Sequence, residues 1–405
     1  MNAKKKTKEI NTNPVDIENL LNRGTEDVLV RESLEKKLQS GKPLRIKLGV
    51  DPTSAHIHIG RAVVLRKLRA FQDMGHKAVF IVGDFTAKIG DPSDKLSKRP
   101  MLTDEDIVKN LKNYKEQVGS IINLDEAEFH YNSEWLSKLT FKEIAELSES
   151  FSVAQMLSRR NFKDRIESGD DISLREFLYP LMQGYDSVAI SADVELGGFD
   201  QLFNLKAGRV IQKHYGRLEQ DILTSQMLEG TDGRKMSSSW GNIIAITDGP
   251  GDMYGKVMSL RDELLEKYFL LTTDVSVDEI KQLSEDAKTN PKEIKMRLAR
   301  EIVAIYHNEE KAVSAEKNWE EAFSKGGVPE GVEEVEATPE TKIADVLLSK
   351  KVVASKSELR RLVESGAVTH TDSGEKVLDI NKVAKIGIYK IGKRRFIKIV
   401  VKKQK

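Results

Sequence analysis

The chain has 405 residues, 39% hydrophobic and 32% charged, which is enough to bury roughly two or three cores and far exceeds a peptide scaffold. It contains no cysteine, which excludes disulfides, thiolate zinc sites, iron–sulfur clusters and cysteine nucleophiles. The net charge of +1 conceals an asymmetry: Thr341 to Lys405 carries 17 Lys and Arg against 6 Asp and Glu, a surplus of +11 that leaves −10 on the first 340 residues. A basic tail of this kind favours a phosphate-rich partner through counterion release, although a lysine-rich end is equally a solvated surface. No run of about 18 apolar residues occurs and the chain opens on a polar lysine cluster, so a soluble, cytoplasmic protein without a membrane partner is expected.

Residues 1–40 are read as an N-terminal helical extension. Leu44, Ile46, Leu48 and Val50 then alternate with Arg45, Lys47 and Gly49, the period of a strand, and the run ends in the turn formers Asp51-Pro52-Thr53-Ser54. Val64, Leu65, Leu68 and Phe71 recur at helical spacing up to Gly75, a helix terminator, and Ala78-Val79-Phe80-Ile81-Val82 reads as a buried strand. Such a strand–helix–strand unit builds a parallel sheet with helices on both faces, so residues 41–245 are predicted to form an α/β domain, a Rossmann-type doubly wound parallel sheet. Its later part is a helix from about Leu174 to Val188, a short strand Val194-Glu195-Leu196, a glycine pair and a helix from about Gln201 to Tyr215. Ligands of such sheets lie at the carboxyl ends of the strands, which singles out Asp51 to Gly60 and Gly197 to Gln201.

Strand signals vanish from about Gly251 to Phe323, where Ile294, Leu298, Ile302 and Ile305 mark one apolar helix face, so residues 246–325 are expected to be an α-helical domain. Residues 326–340, with Gly326-Gly327-Val328-Pro329 and the acidic run Glu330 to Glu336, read as a linker. Residues 341–405 are read as a small α+β domain: a helix after Ser357 with Leu359, Leu362 and Val363 inward and Arg360 and Arg361 outward, then a hairpin from Tyr389 to Val401 turning at Gly392.

Two segments carry chemistry. His58-Ile59-Gly60 lies between a strand and a helix N-terminus, where free N–H groups and the helix dipole attract phosphate and Gly60 allows close approach; a structural loop histidine is the plainer alternative. His56 and His58 without a nearby acidic partner make an incomplete metal site, so no protein-held metal is expected. Lys235-Met236-Ser237-Ser238-Ser239 follows Gly230-Thr231-Asp232-Gly233, a flexible loop that presents a cation and hydroxyls and could neutralise charge on a departing pyrophosphate. Tyr179, Gln183 and Asp186 share one helix face, either a pocket wall or a solvated stripe. Lys47, on a strand buried on both faces, must find a partner or snorkel to water.

Asp51-Pro52-Thr53 with His58-Ile59-Gly60, and Lys235 to Ser239, resemble the two signature motifs of class I aminoacyl-tRNA synthetases. Tyr179-Pro180-Leu181-Met182-Gln183-Gly184-Tyr185-Asp186, followed by Gly197-Gly198-Phe199-Asp200-Gln201, is similar to the tyrosyl branch of bacterial type, as is the loop Gly83 to Ser93, and the end from about Lys342 resembles the S4 RNA-binding domain. The resemblance implies activation of L-tyrosine with ATP to tyrosyl-adenylate and pyrophosphate, then transfer to the 3′-terminal ribose of tRNA(Tyr). Magnesium would come with the nucleotide, and the family implies a homodimer. By position, Gly49, Asp51, His58, Gly60, Asp200, Lys235 and Ser238 would bind ATP, with His58, Lys235 and Ser238 acting in catalysis. Lys47, Asp91, Tyr179, Gln183, Asp186 and Gln201 would bind tyrosine: Asp91, Tyr179 and Gln183 its ammonium, Asp186 its phenol. Arg360, Arg361, Lys390, Lys393, Arg394, Arg395 and Lys398 would meet tRNA phosphates.

Three residues depart from the family's pattern: Arg61 stands where a second histidine is common, Ser238 replaces the second lysine of the mobile loop, and Phe199 replaces a small hydroxyl residue. They motivate one other reading, a synthetase-derived RNA-binding protein with weakened or lost catalysis; a synthetase for another aromatic amino acid on the same fold is a second, against which the polar set around Asp186 and the basic C-terminal domain argue. A dinucleotide oxidoreductase is disfavoured because no Gly-x-Gly-x-x-Gly follows the first strand.

Overall fold

In the computed structural model, residues 9–93, 102–237, 240–321 and, within 332–401, all but 333, 339, 351, 354, 372, 393 and 394 are described. The apolar runs of the first part build one sheet from β1 (Thr25–Leu29), β2 (Arg45–Val50), β3 (Lys77–Val82), β4 (Glu128–Tyr131), β5 (Val194–Gly198) and β6 (Asp221–Ser225), in the order β1-β6-β5-β2-β3-β4. Neighbours from β6 to β4 are parallel, whereas β1 is antiparallel to β6. The sheet is therefore mixed, which corrects the wholly parallel expectation at one edge. It also corrects the helical reading of residues 1–40, since β1 lies between α1 (Pro14–Asn22) and α2 (Arg31–Gln39). A half-exposed edge strand containing Glu26 and Asp27 shows no buried alternation to read.

From β2 the chain passes through α3 (Ile59–Asp73) to β3, and later returns on the other side of β2 to lay down β5 and β6. The direction of winding thus reverses between β2 and β5. A crevice opens at the carboxyl ends of two such strands, because their following loops leave toward opposite faces. Two helices flank it, α4 (Leu174–Ala189) and α5 (Leu202–His214). The capping box of Ser173 and Glu176 starts α4, and Glu176 also pairs at 2.5 Å with the buried Arg165.

Close approach of α4 and α5 depends on glycine. A Cβ on Gly184 would lie 2.8 Å from Ile211 Cγ1, and one on Gly208 would meet the Gln220 amide, Glu195 Oε2 at 2.9 Å and Ser187 Oγ at 3.0 Å. Gly208→Ala is accordingly expected to destabilise the protein by about 1–3 kcal/mol through overpacking, read as a lower denaturant midpoint at unchanged slope.

Residues 1–248 with 259–298 form one compact unit, and 249–258 with 299–405 form the other. The expected helical segment is present as Pro250–Met258, Leu265–Thr272, Val277–Ala287, Pro291–Tyr306 and Glu309–Trp319, but these helices are divided between the two units. In the second unit the Tyr254 and Trp319 rings lie 6.1 Å apart. The same unit holds a sheet of order β7-β11-β10-β8-β9: β7 (Glu334–Ala337), β8 (Val368–His370), β9 (Glu375–Lys376), β10 (Gly387–Ile391) and β11 (Arg395–Val401). Helices Ile343–Ser349 and Lys356–Glu364 share its core, with Leu347, Leu359, Ile391 and Ile397 fully buried. The 326–340 linker reading is corrected at Glu334–Ala337, which pairs in parallel with β11. Val335 and Ala337 point inward while Glu334 and Glu336 stay in water, so the acidic run masks a period of two. Among the described residues no helix is long and apolar enough to cross a membrane.

Candidate active site

Gly49 is exposed although β2 is a central strand, and nothing lies within 4 Å of where its Cβ would be, so open space reaches the sheet there. Beyond it α3 begins with His58 as N-cap. The Nδ1 of His58 accepts from the Arg61 backbone N–H at 3.3 Å, which leaves the ring proton on Nε2. Burial, reinforced by the charges of Arg61 and Lys235, pushes its pKa down to about 3. Near neutral pH His58 is therefore an uncharged N–H donor beside a helix N-terminus, suited to an anionic oxygen.

The second motif lies against the first. His58 and Ala245 form an antiparallel bridge, and a Cβ on Gly60 would be 3.3 Å from Met236 Sδ. The Lys235 ammonium pairs with Asp200 Oδ2 at 3.0 Å, and Asp200 follows the carboxyl end of β5. Asn242 braces this loop, accepting from Ser237 N–H at 2.9 Å and donating to Asp232 at 2.8 Å. Arg234 is spent on Asp232 at 2.6 Å and stacks 4.9 Å from the Trp240 ring. Arg61 donates to Thr53 Oγ1 at 2.6 Å, Phe199 is half-exposed, and Ser238 lies outside the described residues.

The predicted tyrosine-side residues gather into two groups joined by a polar chain. Asp91 Oδ2 accepts from Gln201 Nε2 at 2.7 Å, while its Oδ1 accepts from Ser93 N–H at 2.9 Å and Asn204 Nδ2 at 3.3 Å. Gln201 therefore orients Asp91, a role its expected direct contact with tyrosine did not include. Tyr179 donates its hydroxyl to Asp51 Oδ2 at 2.9 Å, and burial with the Asp51 and Asp91 charges keeps its phenol protonated far above the usual range. Because that proton is committed, the phenol oxygen facing the site is an acceptor. Asp51, expected on the nucleotide, thus lies against the tyrosine-side group; its Oδ1 accepts from Thr86 at 2.7 Å, and Thr86 accepts from Asn132 at 3.0 Å. Asn132 in turn reaches Asp186 Oδ2 at 3.4 Å, and Trp135 Nε1 donates to Asp186 Oδ1 at 2.7 Å. Burial raises the Asp186 carboxyl to about 6, opposed by the charge of Lys47 and the Trp135 and Asn132 bonds.

Of its expected courses, Lys47 takes the buried partner. It neither snorkels nor lines a pocket: it is fully buried, with its ammonium on Gln183 O at 2.7 Å, Ser187 Oγ at 2.7 Å and Glu195 Oε1 at 2.8 Å. The adjacent registers of β2 and β5 set Lys47 beside Glu195. Trp135, Asn132, Thr86, Asn204 and Glu195 had escaped sequence reasoning. Apart from Asn132 and Trp135, the N-cap and a residue of one short helix, they come from separate segments, and only Glu195, a charge inside an apolar strand, carries a local signal.

The tRNA candidates belong to the other unit. Arg360 and Arg361 are exposed on one helix, but Arg395 pairs with Glu358 at 2.9 Å and Lys398 with Glu334 at 2.6 Å. Lys390 sits 5.7 Å from the Phe396 ring, while Lys393 and Arg394 lie outside the described residues.

A doubly wound sheet with these two motifs at its switch point defines a class of enzyme. The family profile for tRNA synthetases class I (W and Y) matches residues 39–324, and the chain belongs to that family. The tyrosine–tRNA ligase of Thermotoga maritima is 45% identical over 94% of this chain and 96% of its own length, and that of Desulfotalea psychrophila 45% over 94% and 97%. Within the class, the chain is thus a member of the tyrosyl-tRNA synthetases. Among solved structures, a C-terminally truncated mitochondrial tyrosyl-tRNA synthetase of Coccidioides posadasii superposes with a TM-score of 0.61 at 26% identity, covering 75% of this chain and 91% of that one. The Archaeoglobus fulgidus tyrosyl-tRNA synthetase complexed with L-tyrosine, at 20% identity and a TM-score of 0.58, shares the fold; it covers 75% of this chain and 99% of that one.

Proposed function

We propose that the crevice at the ends of β2 and β5 joins L-tyrosine to tRNA(Tyr) in two steps. The tyrosine ammonium sits among Asp91, the Tyr179 oxygen and Gln183, and its phenol donates to Asp186. ATP lays its phosphates on His58, Gly60 and the N-terminus of α3, with the ribose on Asp200 and open room over Gly49. A tyrosine carboxylate oxygen attacks the α-phosphorus, the bond to the bridging oxygen breaks, and pyrophosphate leaves with its charge met by Lys235 and the loop that carries Ser238. The 3′-terminal ribose hydroxyl of the tRNA then attacks the acyl carbon and AMP departs. Catalysis here is positioning and charge neutralisation, and needs no covalent enzyme intermediate. Magnesium enters with ATP, held chiefly by its phosphates. The substrates, ATP and tRNA, fit a cytoplasmic setting.

One observation above all supports this reading: acceptors suited to an ammonium and a phenol, and donors suited to phosphates, meet at the strand ends where the winding reverses. Tyrosine-dependent exchange of pyrophosphate into ATP tests it. Exchange is expected with tyrosine and not with phenylalanine or tryptophan; none with any amino acid would leave an RNA-binding protein on a synthetase scaffold.

For the C-terminal sheet we propose an S4-like RNA-binding role, with Arg360, Arg361, Lys393 and Arg394 as the leading phosphate contacts. Truncation is best made before residue 332, so that β7 leaves together with β11. The shortened enzyme is expected to keep pyrophosphate exchange while kcat/KM for tRNA charging falls by about 10²-fold or more at moderate salt. A homodimer is also proposed, supported by Phe141 at 88% and Leu174 at 80% exposure, with Val153 and Ile166 also exposed in the same part of the chain.

A further inference from the structure

Behind the pocket face of α4 lies a buried polar cluster that none of the steps above uses. Glu195 is 1% exposed and Lys47 0%, and all three ammonium hydrogens of Lys47 have acceptors. Glu195 Oε2 accepts from Ser187 Oγ at 3.2 Å and from the Gln220 amide, and its Oε1, besides Lys47, accepts from Gln183 Nε2 at 3.2 Å. A carboxylate can only accept, so the Gln183 amide must turn its nitrogen toward Glu195. Its oxygen is then on the opposite side, unburied and without a hydrogen bond among the described residues. An amide free to rotate would offer a ligand cation its NH₂ as readily as its oxygen, and the NH₂ repels it.

We propose that Glu195, neutralised by Lys47, is a positioning residue for substrate: it locks the Gln183 amide so that an oxygen, and never an NH₂, meets the amino group of the amino acid. The cost of burying two charges is offset by their mutual pairing and their further hydrogen bonds. The arrangement repeats at Tyr179, whose proton is likewise committed to an inner carboxylate, Asp51. Two of the three ammonium acceptors are thus made acceptors by a carboxylate behind them. The inference rests on the reading of Gln183 as an ammonium contact.

The test compares two competitive inhibitors of tyrosine-dependent exchange that differ only by the ammonium group, tyramine and 4-ethylphenol. In the parent enzyme tyramine should bind more tightly. Glu195→Asp keeps the charge beside Lys47 but withdraws the carboxylate from Gln183. Lys47→Met with Glu195→Leu removes the pair altogether with little change of volume. Each is expected to shrink the tyramine preference, the double variant by about five- to tenfold, as suits one hydrogen bond to a charged group. Changes felt by Asp186 alter both inhibitors alike and cancel in the ratio. Adding Gln183→Glu to the double variant should restore the preference, because a carboxylate offers oxygen however it turns. An unchanged ratio in Glu195→Asp or in the folded double variant overturns the proposal, and so does equal weakening of both inhibitors. Gln183→Ala separates the two claims: an unaltered ratio there means that Gln183 does not meet the ammonium, whereas a reduced ratio there with none in the Glu195 variants sinks the positioning role alone.

Discussion

Replacing Asp186 with asparagine is expected to remove most discrimination between tyrosine and phenylalanine. In the parent the carboxylate accepts from Trp135 at 2.7 Å and from Asn132 at 3.4 Å, with lone pairs left for a substrate phenol. Phenylalanine would leave that buried ion unsatisfied, a penalty that sustains preferences of about 10⁴–10⁵, a rule itself drawn from a tyrosyl enzyme of this class. Asparagine offers an amide that Trp135 and Asn132 can satisfy, so the penalty against phenylalanine falls. The tyrosine-to-phenylalanine ratio of kcat/KM in pyrophosphate exchange should drop by about 10²-fold or more.

The pH dependence follows from the same group. With its carboxyl raised to about 6 by burial, Asp186 is half-protonated at that pH, and the proposed phenol contact favours the ion, which is the stronger acceptor and has no proton occupying an oxygen. The charge of Lys47 lowers the Asp186 carboxyl and that of Glu195 raises it, while the Tyr179 phenol, held far above its usual range, stays protonated across this interval. The kcat/KM for tyrosine should therefore rise from pH 5 to 7 with an inflection near 6, absent in Asp186→Asn. His58 adds no inflection there, since its pKa lies at about 3. Stability runs the other way. The folded carboxyl titrates above its ordinary value of about 3.9, so this group's contribution is whole below about pH 4 and is lost as pH rises through 6, a loss of about 3 kcal/mol. Asp186→Asn should then unfold at higher denaturant than the parent at pH 8, with the gain vanishing toward pH 4. A more stable but less selective variant is what a strained site predicts.

What the sequence disclosed was whatever local chemistry encodes. The alternation over Leu44 to Val50, the glycine after His58 and the shared face of Tyr179, Gln183 and Asp186 each depend on spacing within one element, and each is found where expected. β6 was invisible for the opposite reason. Asp221-Ile222-Leu223-Thr224-Ser225 is wholly buried yet polar at three of its five positions, and Asp221 is satisfied by Lys37 at 2.8 Å and Ser33 at 3.0 Å from α2. A buried polar strand is stable only through partners far off in sequence, which no hydrophobic pattern reveals. The same holds at the site. Asp186 could be named from its helix face, but its ionisation depends on Asn132 and Trp135 from one short helix and its cap, and on Lys47 from β2. Lys47 was conspicuous as a lysine in a buried strand, and the sequence could not say that the answer to it was Glu195, its neighbour on β5.

Lys235→Ala is expected to slow adenylate formation by about 10²–10³-fold, the usual loss when one donor aimed at developing charge is removed. The Lys235 ammonium lies 3.0 Å from Asp200, so the residues proposed for the phosphates and for the ribose pair with each other. Nucleotide must part them, with a hydroxyl replacing the ammonium at Asp200 and an anionic oxygen replacing the carboxylate at Lys235. The exchange costs little in the ground state, because one ion pair replaces another. Its benefit comes as negative charge accumulates on the leaving pyrophosphate, and so falls on the rate more than on binding. Single-turnover measurements should thus show a lowered forward rate constant with the tyrosine dissociation constant unchanged and the ATP constant moved less than about tenfold. Lys235→Arg should recover part of the rate, since a guanidinium keeps the charge but not the point geometry of an ammonium. Arg234 offers no substitute, being tied to Asp232 and stacked on Trp240. A Lys235→Ala enzyme that forms adenylate at the parental rate would show that the pyrophosphate charge is met elsewhere, and Arg61, whose guanidinium already lies on the first motif's Thr53, would be the next residue to replace.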